Sequence, residues 1–176
     1  YRSVTFEEVA EGYFRQALGL IEGGVDFLLL ETVFDTLVAK AAMHGIRRAF
    51  AETGRTLPLM LSVTIVDLSG RTLSGQTLEA FWISVKHYDL LSIGINCSLG
   101  PKQMRPFIEE LSGLAPVYTT LYPNAGMPNE FGGYDESPDQ MSVFLEEFAR
   151  AGFINIIGGC CGTTPEHIQQ FADTVK

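Results

Sequence analysis

At 176 residues, with 46% hydrophobic and 19% charged side chains, the chain can bury one sizeable core and is too apolar to be disordered. A net charge of −9 without a Lys/Arg cluster argues against a nucleic-acid surface, and no apolar run approaches the ~20 residues of a membrane helix. Three cysteines, two of them adjacent, do not make a secreted disulfide framework, so a reducing cytoplasm is expected.

Apolar residues at helical spacing predict a helix over Thr5–Glu22, stopped by Gly23-Gly24. Val25–Leu30 then reads as a continuous apolar strand running into Glu31-Thr32. Asp35 is a candidate N-cap for a second helix reaching about Ala51, with Gly54 beyond its end. Pro58–Val66 is the second expected strand, Asp67–Gln76 a polar loop, Thr77–His87 a helix and Leu90–Asn96 the third strand. Gly100-Pro101 opens a helix through Leu111, with proline at the first helical position, where its missing N–H does no harm. Val117–Leu121 is a fourth strand, followed by a loop from Tyr122 to Ser137 rich in Pro, Gly and Asn. Ser137-Pro138 begins a helix to about Ala151, Phe153–Ile157 is the fifth strand, and Thr164-Pro165 starts the last helix.

Strands that are apolar throughout belong to a parallel sheet covered on both faces. That leaves a doubly wound sheet or part of a (βα)8 barrel. In a barrel, side chains from alternate strands share one layer. Glu31, Cys97 and Cys160 close the first, third and fifth strands, so a barrel brings them to one level of its mouth. The expected fold is therefore α/β, the C-terminal part of a TIM-type barrel with about five strand–helix units. Residues 1–176 are read as a single domain, with three strands expected upstream of Tyr1.

The sequence Gly158-Gly159-Cys160-Cys161-Gly162 carries the chemistry. In a regular strand, neighbouring side chains point to opposite faces. Glycines let the chain leave that geometry, so Cys160 and Cys161 can turn toward one point. Cys97 ends another strand. Three thiolates are soft donors that select zinc, and three protein ligands leave a fourth position open, as in catalytic sites. Such a site suits the binding and activation of another thiol for alkyl transfer rather than hydrolysis. His44, His87 and His167 do not supply a fourth ligand, and His167, in the first turn of the last helix, is expected to be exposed. The competing readings are inert core cysteines or a strained vicinal disulfide.

Gly94-Ile95-Asn96-Cys97-Ser98-Leu99-Gly100-Pro101 together with Gly158-Gly159-Cys160-Cys161-Gly162-Thr163 resembles the zinc signature of the homocysteine S-methyltransferase family. Leu30–Leu37, Ser69–Gln76 and Tyr122–Asn129 are similar to the homocysteine-binding module of its cobalamin-dependent methionine synthase branch. The resemblance implies a barrel in which Cys97, Cys160 and Cys161 bind zinc and the homocysteine sulfur takes the fourth position. It also implies that Glu31 holds the substrate's amino group and that Asn124 lies near the metal, filling the open position when substrate is absent. Methylcobalamin would be the methyl donor, and the cobalamin- and folate-binding modules of the same polypeptide would be the partners. Within the family, a cobalamin-independent enzyme using betaine or S-methylmethionine is the alternative. Outside it, the alternative is a structural zinc or vicinal-disulfide domain.

Overall fold

The computed structural model describes residues 3–175. Five strands, β1 (Leu28–Val33), β2 (Leu59–Val63), β3 (Ser92–Asn96), β4 (Tyr118–Tyr122) and β5 (Ile156–Ile157), form one parallel sheet ordered as they occur in the chain. Six helices accompany them: α1 (Phe6–Glu22), α2 (Thr36–Thr53), α3 (Leu78–Val85), α4 (Pro101–Leu114), α5 (Pro138–Arg150) and α6 (Pro165–Thr174). A doubly wound sheet reverses its strand order at a switch point, and this one never does. Each crossover adds the next strand on the same side, and right-handed crossovers then put α2 to α5 on one face. That is the barrel arrangement, with β1 and β5 as the free edges of the described sheet.

Local chemistry sets the helix ends. Thr5 accepts from the Glu8 N–H at 3.2 Å and returns its own N–H to the Glu8 carboxylate at 2.7 Å, a reciprocal cap for α1. Asp35 caps α2 through the N–H groups of Leu37 and Val38, and Gly54 ends that helix with φ +65°. β1 begins at Leu28 rather than Val25, because its ladder with β2 starts where the Leu28 N–H reaches the Pro58 carbonyl. β5 is shorter than the apolar run suggested. The Asn155 carboxamide oxygen accepts the Thr119 N–H at 2.8 Å, and the Thr119 hydroxyl donates to the Phe153 carbonyl at 2.7 Å. With the Asn155 N–H on the Thr119 carbonyl at 2.9 Å, side chains add to a single backbone bond before Ile156.

The two faces of the sheet differ. Leu28, Leu30, Leu61, Val63, Ile93, Ile95 and Leu121 are buried in the core shared with the helices. The opposite, concave face carries Ser62, Ser92, Gly94, Asn96 and Thr120, all small or polar and all buried, with Met60 and Tyr122 as its bulkier members. Bulky branched residues are usual inside such barrels. Here Gly94 lies against Thr120, whose side chain and carbonyl occupy the space a β-carbon would need. No helix among the described residues is long and apolar enough to cross a membrane.

Candidate metal centre

The site is assembled from turns that follow β3 and β5. At the end of β3, Cys97 and Ser98 adopt φ +64° and +63°, in the left-handed region that side-chain-bearing residues avoid. The Cys97 N–H is held by the Tyr122 carbonyl at 3.1 Å, and the Leu99 N–H returns to the Cys97 carbonyl at 2.8 Å. Beyond β5, space demands glycine. A β-carbon on Gly158 would meet the Tyr122 ring at 2.8 Å, and one on Gly159 would meet the Thr163 hydroxyl at 2.6 Å. Gly162 turns the chain with φ +81° against the side chain of Tyr134.

The Cys160–Cys161 turn is fastened to the segment after β4. Cys160 N–H donates to the Pro123 carbonyl at 2.8 Å, Cys161 N–H to the Asn124 carboxamide oxygen at 3.0 Å, and Ala125 N–H to the Cys161 carbonyl at 2.8 Å. The Asn124 N–H in turn reaches the Leu99 carbonyl at 3.0 Å. Asn124, 1% exposed, therefore bridges both cysteine-bearing turns.

The result is three free thiols at one point. The Cys97 and Cys161 sulfurs are 3.7 Å apart, those of Cys160 and Cys161 4.0 Å, and all three ligand atoms lie within 4.8 Å of one another. A disulfide needs about 2.05 Å between sulfurs, so the pair is not bonded. Tetrahedral zinc with Zn–S bonds of about 2.3 Å puts its sulfurs roughly 3.8 Å apart. The observed spacing fits that polyhedron with little adjustment. Burial first, then the neighbouring Cys97 and Cys161 sulfurs, pushes the Cys160 thiol up to about 12. Cys160 therefore resists ionising beside its neighbours, and a divalent cation relieves that cost. Tyr134 rises from its ordinary phenol value through burial and then through hydrogen bonding to Cys161, which places its hydroxyl beside the cluster.

Glu31 projects from β1 and is exposed. Burial raises the Tyr122 phenol and the Glu31 charge adds to it, which puts Glu31 within electrostatic reach of the residue whose carbonyl holds the Cys97 N–H. His167 is not exposed as expected but buried at 6%. Its Nδ1 accepts the Thr164 N–H at 3.1 Å, and its Nε2 lies 2.9 Å from the Glu136 carbonyl, so the ring folds back to cap α6 and anchor the loop before α5. The sequence reading missed Asn96, Thr32 and Tyr134. An Asn closing the apolar run that ends at Ile95 is the available signal for Asn96, since such a group, once buried, must find partners.

A hollow of about 1320 Å³ lies at the opposite end of the strands, lined among others by Arg47, Pro58, Tyr88, Leu90 and Val117. Size does not decide the matter. Those residues precede the strands, whereas barrel chemistry is built on the loops that follow them, where the sulfurs sit.

Among solved structures, the chain is similar to the apo form of the homocysteine methyltransferase MmuM from Escherichia coli, at TM-score 0.76 and 22% identity. The match covers 97% of this chain and 57% of that one, so it bears on the fold. The pattern that describes homocysteine S-methyltransferases matches residues 1–175. With its parallel barrel-type sheet and its three converging thiols, the chain belongs to the homocysteine S-methyltransferase family.

Proposed function

We propose that the chain binds zinc through Cys97, Cys160 and Cys161 and uses it to present homocysteine as a thiolate for methylation to methionine. The observation that carries this reading is the spacing of three unbonded sulfurs at the C-terminal ends of barrel strands. Among the described residues, no His, Asp or Glu joins the three sulfurs as a fourth ligand, which favours an open site over a closed structural one. When bound, zinc supplies a soft Lewis acid that keeps a fourth sulfur deprotonated near neutral pH.

The chain's own residues do the rest. Cys97 and Cys160 are half-buried and Cys161 is exposed, so the guest thiol enters from the Cys161 side. Glu31 takes the ammonium group of the amino acid, an ion pair that orients the sulfur toward the cluster. Asn124 acts by holding Cys161 through its backbone N–H. The substrate thiol gives up its proton, its sulfur gains the methyl group, and the donor leaves with the electron pair of the broken bond.

The donor in this reading is methylcobalamin on a separate module of a longer polypeptide, with methyltetrahydrofolate bound elsewhere and further strands completing the barrel at its free edges. The sequences 67–76 and 122–129 support that branch by resemblance. So does the rim. Phe34, Leu68, Leu73, Met127 and Phe131 are exposed on loops that follow β1, β2 and β4, and Leu37 is exposed in the first turn of α2, an unusual concentration of apolar surface around a polar site. A cobalamin-independent enzyme using betaine or S-methylmethionine is the second reading, since the same three thiols would serve either donor.

One zinc per chain, with proton release when homocysteine is added, supports the metal assignment, and a metal-free vicinal disulfide refutes it. Methyl transfer from methylcobalamin but not from S-methylmethionine or betaine supports the first donor, and the reverse supports the second.

A further inference from the structure

We propose that Asn96 is a positioning residue that fixes the Cys160 sulfur and the turn beside Glu31 as one unit. This inference rests on the zinc–homocysteine reading above. Asn96 is the last residue of β3 and is fully buried. Its carboxamide oxygen accepts the Thr32 N–H at 3.1 Å and the Ser62 hydroxyl at 2.7 Å. Its NH2 group donates to the Thr32 hydroxyl at 2.8 Å and faces the Cys160 sulfur at 4.0 Å. A carboxamide has two acceptor and two donor positions, and all are used. The Thr32 N–H can only donate, so the oxygen must lie toward it and the NH2 toward the sulfur.

Thr32 needs such a hold. Its φ is +59°, a region that β-branched residues avoid, and it lies where the β1–β2 register shifts between Leu30 and Val33. A bulge of this kind re-aims the neighbouring side chain, here Glu31. Strain of this sort persists only where surrounding bonds over-determine it, and the Asn96 carboxamide supplies two of them. The same group offers an N–H to the half-buried Cys160 sulfur, the kind of outer contact that orients a metal ligand and moderates its charge. Aim of the amine-binding carboxylate and set of the metal ligand therefore share one side chain.

The test uses the zinc-loaded chain with two variants. Asn96→Asp keeps shape and acceptor but turns an oxygen toward Cys160. Thr32→Val removes the hydroxyl while keeping the backbone N–H. Asn96→Asp is expected to lower zinc affinity, measured by chelator competition, by about 10–100-fold and to shift the thiolate-to-metal charge-transfer band of the cobalt-substituted chain. Thr32→Val is expected to weaken binding of homocysteine while leaving binding of an analogue without the amino group unchanged, with a smaller loss of zinc. Folded variants with wild-type zinc affinity, cobalt spectrum and amine discrimination overturn the inference. Where Asn96→Asp fails to fold, Thr32→Val alone decides, and unchanged discrimination overturns it. A wild-type chain that binds neither zinc nor cobalt takes down the functional reading itself, whereas a metal-binding wild type with indifferent variants takes down only the role of Asn96.

Discussion

Replacing Asn124 by alanine removes the oxygen that holds the Cys161 N–H at 3.0 Å, from a residue only 1% exposed. A buried donor left unsatisfied costs about 1–3 kcal/mol. Cys161 is exposed, so water recovers part of that bond, and about 1–2 kcal/mol is the expected loss. In a chain of this size each kcal/mol moves Tm by roughly 2–4 °C, which gives a fall of about 2–8 °C. Calorimetry on the zinc-free chain measures it.

Asn124→Asp separates the causes, because it restores an acceptor in the same shape. Its zinc-free Tm should return most of the way toward wild type. Part of the same free energy should reappear in the alanine variant as weaker zinc binding, up to about tenfold for each 1.4 kcal/mol, since an unfastened Cys161 must be ordered by the metal. An alanine variant with wild-type Tm and wild-type zinc affinity refutes the idea that this carboxamide fastens the turn. So does an aspartate variant as unstable as the alanine one.

Cys97→Ser and Cys161→Ser should each abolish zinc retention after gel filtration, whereas His167→Ala should retain the metal and lose thermal stability, because its ring serves two backbone groups and no sulfur. Zinc affinity should rise from mildly acidic to mildly alkaline pH, with proton release seen by titration calorimetry in buffers of different ionisation enthalpy. The Cys160 thiol, pushed to about 12, still carries its proton at neutral pH and must lose it on binding. The sign follows for the zinc-free fold as well: stability tied to that thiol is present below the ordinary thiol range and is lost as pH rises through about 12. Gly162→Ala should cost about 1–3 kcal/mol in chemical denaturation, combining strain at φ +81° with a β-carbon 2.7 Å from Cγ of Tyr134. A neutral Gly162→Ala means that the turn has room to relax.

The meeting of Cys97 with Cys160 and Cys161 is legible before any coordinates, because it follows from strand ends in a parallel barrel and from glycines that break alternation. The helix starts at Thr5, Asp35, Ser137 and Thr164 are equally local, each written in the residues that cap them. What stays hidden is set by partners distant in sequence. Asn155 reads as one polar residue in an apolar run, and only the approach of Thr119 gives its carboxamide a place beside the backbone bond that joins the two residues. Asn96 is obscured in the same way, by two partners on β1 and β2. His167 sits in a first turn that faces solvent in most helices, and its burial depends on the loop carrying Glu136 folding over it.

Among the described residues, the three non-glycine positions with positive φ are Thr32, Cys97 and Ser98, all at the C-terminal ends of β1 and β3. The strain of the backbone and the chemistry of the thiols therefore occupy one rim. Hydrogen bonds that compensate it run between turns far apart in the chain, with Cys97 and Cys161 separated by 64 positions. Such turns hold their shape only while the sheet between them is intact. A metal that recognises all three sulfurs must then bind the folded arrangement far better than the unfolded chain, and so stabilise it in proportion to its occupancy. Ligand geometry and fold stability are, in this protein, two readings of the same set of cross-strand bonds.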